Sequence, residues 1–291
     1  MLGGLFAVED RPGKFRLIFD RRPANFVEKP LDWLSLHMGA MLTQIIVNDT
    51  EEVRGSGSYL EPYFNHLRQH PGVLSRSAFG RRVEVREAAE LGFDFRGPSR
   101  MAFAVTGMGG RNSPAFAQQV HLEVLASEGV DVNNLMEWGK PLPDQRLMCG
   151  VFYDDLVSIS VLPKEQALKI SGPDVEVIDQ SRRGYENARL PLSEDKAFGY
   201  TGPGSEVGGS LKFTAWGTEV NSRTGSVATP ALKRSLLLIV GLRILESGWA
   251  TGSFLRRLSA CWVHPFSHRR ELFAFVHRLH KYRESMGETS L

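Results

Sequence analysis

Residues 151–160 read VFYDDLVSIS, and how this stretch folds decides the architecture. Two short apolar runs, rich in Val, Ile, Phe and Tyr, flank the adjacent carboxylates Asp154 and Asp155, with Phe152 and Tyr153 directly ahead of them. The runs have strand length and strand composition, so the stretch predicts strand, turn, strand rather than helix. A hairpin tip of this kind presents two carboxylates together on a stiff support. Such a pair suits divalent cations that stabilise phosphoryl transfer, in which charge spreads over attacking, leaving and transferring oxygens. Paired acids in a turn are also ordinary, because Asp accepts turn geometry and favours solvent.

The rest of the composition sets bounds. A chain of 291 residues with 42% hydrophobic and 23% charged content has enough apolar material for a sizeable core, and is expected to fold as one multi-lobed unit or two small domains. Net charge is only +2, so a nucleic-acid or phosphate partner must be met by local clustering of cations. The two cysteines, Cys149 and Cys261, do not make a disulfide framework. That points to a reducing, intracellular compartment, cytoplasmic or nuclear, with no disulfide partner. The longest apolar run, Leu236 to Leu245, contains Arg243 and is too short to span a bilayer, so no membrane partner is expected.

Along the chain, GKFRLIFDRRPAN alternates Phe15, Leu17 and Phe19 with Arg16, Ile18 and Asp20, which predicts a half-buried strand running into a turn. Residues 31–48 predict a helix followed by a strand, LTQIIV. In VRGSGSYLEPYFNHLR, Gly55 and Gly57 are expected to break the pattern before an aromatic-rich stretch. In GMGGRNSPAFAQQVHLEVLA, Ser113 is the expected N-cap and Pro114 the first helical residue, with Phe116, Val120 and Val124 forming a buried stripe. Gly107, Gly109 and Gly110 just before it let the backbone approach a flat or anionic ligand closely, or merely make a flexible loop. Residues 163–210 are polar with a Gly-rich loop, GYTGPGSEVGG, and LKFTAWGTEV predicts a strand. The last third is helical and basic, carrying Arg256, Arg257, Arg269, Arg270, Arg278, Lys281 and Arg283. Such a face reads either as a nucleic-acid contact or as a solvated helix surface.

Taken in order, these pieces resemble the reverse transcriptase family, the RNA-directed DNA polymerases of retroelements. The family's fingers motif is matched at Arg16, Asp20, Arg22 and Asn25, and its Gly followed by Ser-Pro at Gly109, Ser113 and Pro114. The aromatic-x-Asp-Asp motif is matched at Phe152, Asp154 and Asp155. A later Lys and Gly-containing turns are matched at Lys196, Trp216, Gly217 and Gly225. The resemblance implies an α+β fold: an antiparallel polymerase palm sheet backed by helices, interleaved fingers and a helical thumb. It divides the chain into fingers-like residues 1–45 and 68–110, palm residues 46–67 and 111–222, and a thumb-like segment 223–291.

The same resemblance implies the roles. Asp154 and Asp155 hold Mg2+ or Mn2+, and Lys196 lies near the pyrophosphate as an acid. Arg16, assisted by Lys14, grips the dNTP triphosphate, Phe64 gates the ribose, and Gly109, Arg111 and Ser113 line the nucleotide side. Trp216, Gly217, Arg269 and Arg270 meet an RNA or DNA template and its primer. Read without it, Lys14, Arg16 and Lys196 are surface cations and Phe64 a core residue.

One position departs from the family. Its first catalytic motif corresponds to Tyr59-Leu60-Glu61-Pro62-Tyr63-Phe64, so Tyr59 stands where a carboxylate should bridge both metals. A phenol with an ordinary pKa of about 10 does not replace a carboxylate near neutral pH. Glu61, two residues on, is an alternative ligand on the same strand face. The chain also begins close to the fingers motif and carries no recognisable nuclease portion. These features imply a fragmentary retroelement copy, either a template-directed DNA polymerase impaired at its metal site or a non-catalytic nucleic-acid-binding relic. Cys261, His264 and His268 make a further, looser candidate for zinc.

Overall fold

The computed structural model describes residues 3–143 and 146–285, without the side chains of residues 10, 11, 14, 16, 279, 280 and 282–285. The chain opens with a hairpin of β1 (Gly4–Arg11) and β2 (Lys14–Asp20), followed by the short helix α1 (Arg22–Val27). At its start, Asp20 accepts hydrogen bonds from the Arg22 main chain and guanidinium, which hold the Asp20 carboxyl down at about 2. Residues 31–48 form neither the expected helix nor strand. They run irregularly through a short 3-10 turn, Gly39–Gln44, which buries Met41 and Leu42 in the core.

Then come β3 (Glu51–Tyr59), the single-turn helix α2 (Tyr63–His66), β4 (Ala78–Val83), α3 (Val85–Glu90) and β5 (Ser99–Ala102). The long helix α4 (Ser113–Ser127) leads into β6 (Leu147–Phe152) and β7 (Asp155–Pro163), and α5 (Lys164–Ala167) and α6 (Pro173–Asn187) follow. The chain continues through β8 (Lys212–Ala215), β9 (Thr218–Asn221) and β10 (Ser226–Ala228). It closes with helices α7 (Ala231–Ser247), α8 (Gly252–Ser267) and α9 (Phe273–Ser285). Mixed helices and small antiparallel sheets make up the architecture.

The central sheet has the order β3-β7-β6, all antiparallel. Strand alternation sends Val157, Ile159 and Val161 to one face, into a core shared with Met41, Leu42, Phe213 and Val220. Leu156 goes to the other face, where α4 and α6 cover it with Ala117, Leu125, Val175 and Ile178.

Gly55 and Gly57 do not interrupt β3, which pairs with β7 along its whole length. They are glycine because the stacked rings of Phe213 and Phe198 lie on the strand. A Cβ at either position would come within 2.7 and 2.4 Å of those rings. The polar stretch 163–210 contains α6, whose N-terminal Asp174 pairs with Arg54 of β3 while both side chains are wholly buried. The Gly-rich patch folds around that side chain, with Gly208 against the guanidinium and Gly209 against its aliphatic stem.

In α4 the N-cap is Asn112 rather than Ser113. The buried face is Ala117, Gln118, His121 and Leu125, while Phe116 is exposed and Val120 and Val124 are only partly covered. Apolarity misplaced the stripe because two of the inward positions are polar and engaged with the neighbouring hairpin.

Candidate functional site

The hairpin of β6 and β7 closes at Phe152 opposite Asp155, leaving Tyr153 and Asp154 as its two-residue tip. Tyr153 sits at φ 55°, in the left-handed region that bulky residues avoid. Helix α4 holds it there. The Tyr153 N–H donates to Gln118 Oε1 at 2.8 Å, and its carbonyl accepts from His121 Nδ1 at 2.6 Å. Gln118 also donates to the Val151 carbonyl at 3.0 Å. Because Nδ1 of His121 is the donor, Nε2 accepts from the Tyr185 hydroxyl of α6 at 2.8 Å. His121 is fully buried and its pKa falls to about 4, chiefly by desolvation, so the ring is neutral and its tautomer defined. Neither Gln118 nor His121 was singled out from the sequence. Their only mark there is two polar residues on the inner side of an otherwise apolar helix.

Against this tip lies the end of β3. Tyr59 is directly opposite Asp155, and the Leu60 N–H donates to the Asp154 carbonyl at 2.9 Å, so Tyr59 and the aspartates converge as the spacing required. Burial, and after it the neighbouring Asp154 carboxylate, push the Tyr59 phenol well above the usual range, so it stays protonated beside the aspartates. Asp155 is raised to about 7, first by burial and then by the neighbouring Asp154 charge, with Lys196 opposing. Residues 190–198 run beside the free edge of β3, bridging Leu60 to Leu192 and Gly57 to Phe198. That course brings Lys196 over Tyr59, its ammonium 3.9 Å from the ring centroid and 3.0 Å from the Glu61 carboxylate. Glu61 is therefore an ion-pair partner of Lys196, while the phenol of Tyr59 occupies the corner beside Asp154.

The donor set does not fit a pair of divalent cations. Two adjacent carboxylates face a protonated phenol, one of them holds its proton to near neutrality, and a lysine is stacked on the third corner. Among the described residues no group of three or more His, Cys, Asp and Glu side chains is placed to hold a metal ion. The looser zinc candidate fails with it: His268 Nδ1 donates to the His264 carbonyl, and its Nε2 accepts from Thr218 at 2.9 Å.

The other expected residues are distributed as follows. Lys14 and Arg16 lie on β2, but their side chains are outside those described. Phe64 packs against the core beside Tyr63, with ring centroids 6.1 Å apart. Gly109, at φ 90°, accepts from Asn25 through its carbonyl, and the other end of the Asn25 amide takes the Arg111 N–H. The Arg111 guanidinium donates through Nη1 to the carbonyls of Asn25 and Glu28, capping the end of α1. Ser113 is buried and donates to the Gly107 carbonyl at 3.0 Å.

LKFTAWGTEV is a hairpin rather than one strand, with Trp216 and Gly217 at its tip, both at positive φ. The Trp216 indole lies over Gly150, where a Cβ would come within 2.6 Å, and 3.8 Å from the His37 ring. Arg269 and Arg270 are exposed where α8 turns into α9, and the Arg270 guanidinium sits 5.4 Å over Trp138.

No family model matches this sequence, and no curated protein sequence does. Solved structures do resemble it. The foamy viral protease-reverse transcriptase in complex with an RNA/DNA hybrid superposes with a TM-score of 0.61 at 12% identity, covering 98% of this chain and 30% of that one. The dRH form of that protein in complex with double-stranded DNA gives 0.59 at 12% identity, over 97% of this chain and 39% of that one. A further complex of the foamy viral protein with double-stranded DNA gives 0.54 at 13% identity, over 90% and 42%. The chain thus has a reverse-transcriptase-like fold and spans well under half the length of these proteins. None of its described helices is long and apolar enough to cross a membrane.

Proposed function

We propose that this chain binds a primed RNA or DNA template on a reverse-transcriptase-like scaffold without carrying out two-metal nucleotidyl transfer. The observation that carries this reading is Tyr59 set against the tip of the Asp154–Asp155 hairpin, where a carboxylate is needed, with Lys196 stacked on its ring. In this reading the β3-β7-β6 sheet with α4 and α6 is the palm, spanning residues 46–67 and 111–222. Residues 1–45 and 68–110 are the fingers, and 223–291 the thumb. Trp216, Gly217, Arg269 and Arg270 lie on the primer and template side, and Gly109, Arg111 and Ser113 shape the loop facing the nucleotide. Support for nucleic acid as partner comes from the foamy viral relatives, which hold double-stranded DNA or an RNA/DNA hybrid.

The test is fluorescence anisotropy with an RNA/DNA primer-template. Binding should weaken steeply between low and physiological salt, as cation contacts to phosphate require. Affinity indifferent to salt, or no binding, would contradict it. A second reading, an impaired polymerase that uses Mg2+ or Mn2+ and dNTP, is favoured by the Asp154–Asp155 hairpin and its intact brace from Gln118 and His121. Under that reading Tyr59→Asp restores metal-dependent extension, with Lys196 free to act as the acid near the pyrophosphate, Arg16 and Lys14 on the triphosphate and Phe64 as the gate. Under the first, the substitution leaves the protein a binder only.

A further inference from the structure

A cavity of about 800 Å³ opens between α1 with its following segment, residues 69–76 and the start of α4. Its size is that of a small-molecule site. It shares no residue with the cluster of Tyr59, Glu61, Asp154, Asp155 and Lys196. Arg21, 8% exposed, lines it, and the Arg21 Nε has no hydrogen-bond partner among the described residues. The nearest carboxylate, Glu28, stands 4.0 Å from Arg21 Nη2, beyond hydrogen-bond reach, and its Oε2 is likewise without a hydrogen bond. A buried guanidinium left this way is costly, and proteins seldom keep one without a use. Lys29 and Arg76 also line the space, so three cations face one acid, while Val27, Leu31, Val73 and Phe116 supply an apolar wall. Cationic groups on one side and an aliphatic and aromatic surface on the other match one class of ligand.

We propose that this cavity binds a small amphipathic anion, a single phosphate or carboxylate carried on an apolar ring, with Arg21 as its anchoring fork. Planar guanidinium recognises such oxyanions in bidentate fashion. The site lies apart from the Tyr59, Asp154 and Asp155 cluster and meets the proposed nucleotide side only at Ser113, which lines both. Glu28 competes with the ligand for Arg21, and this sets a sign that a merely structural ion pair does not share.

Calorimetric titration of the full chain with phenyl phosphate, inorganic phosphate and benzyl alcohol tests it. Phenyl phosphate should bind about tenfold tighter than either of the others, Arg21→Gln should weaken it by about tenfold, and Glu28→Gln should tighten it several-fold. Arg76→Gln, at an exposed position that does not threaten folding, should weaken it by a smaller factor. A single-stranded oligodeoxynucleotide added in competition distinguishes the source. Displacement means that the anion is a strand's own phosphate, and no displacement means a free small molecule. Phenyl phosphate no tighter than inorganic phosphate, or an affinity unmoved by Arg21→Gln and Glu28→Gln in folded protein, would overturn the proposal. So would the absence of any heat at millimolar phenyl phosphate, since the cavity would then hold only solvent.

Discussion

Asp155 is held by two influences that act in the same direction, burial and the adjacent Asp154 charge, which raise its carboxyl from 3.8 to about 7. Between those values the folded chain binds a proton more tightly than the unfolded one. The stability this confers is complete below about pH 4 and is lost as pH rises through 7, by up to roughly 4 kcal/mol. Asp155→Asn removes that loss. Melting temperatures at pH 5 and pH 8 should show the wild type falling relative to the variant, and parallel profiles would contradict the burial of this charge. The position of Tyr59 beside the aspartates was legible from the sequence, because motif order and strand alternation together dictate what meets at the tip. Lys196 on the Tyr59 ring was not, since it depends on how residues 190–198 run along an edge strand.

At the scale of elements, the β6–β7 hairpin is shaped by α4 as much as by its own strands. His121→Phe keeps the ring volume but leaves the Tyr153 carbonyl and the Tyr185 hydroxyl without their partner. It should destabilise the chain by about 2–3 kcal/mol in urea unfolding, and a change below roughly 0.5 kcal/mol would sink the bracing role. The hairpin itself was readable in VFYDDLVSIS because both strands alternate toward two cores. The α4 stripe was misread, since Gln118 and His121 face inward for hydrogen bonds that hydropathy does not report. Gly55 and Gly57 read as breaks because the rings that demand them, Phe213 and Phe198, come from about 140 to 160 residues later.

Across the whole molecule, the Arg54–Asp174 pair ties the central sheet to α6 and the Gly-rich loop. Arg54 donates to both carboxylate oxygens at 2.8 and 2.7 Å and to the carbonyls of Lys169 and Ser171 at 2.6 and 2.7 Å. Removing one partner strands a buried charge, so Asp174→Ala should cost about 3–5 kcal/mol. Denaturant midpoints close to those of the wild type would contradict the assignment. Nothing in the sequence flagged this pair, because an arginine within a strand pattern reads as solvent-facing. The reverse-transcriptase-like fold was nevertheless legible in the sequence, and the matched positions Asn25 and Gly109 are bonded to each other across it. The most direct test is single-nucleotide incorporation by the purified wild-type chain on a bound primer-template with Mg2+. A salt-sensitive complex and no extension are expected, whereas metal-dependent incorporation of the templated dNTP would contradict a binding-only role.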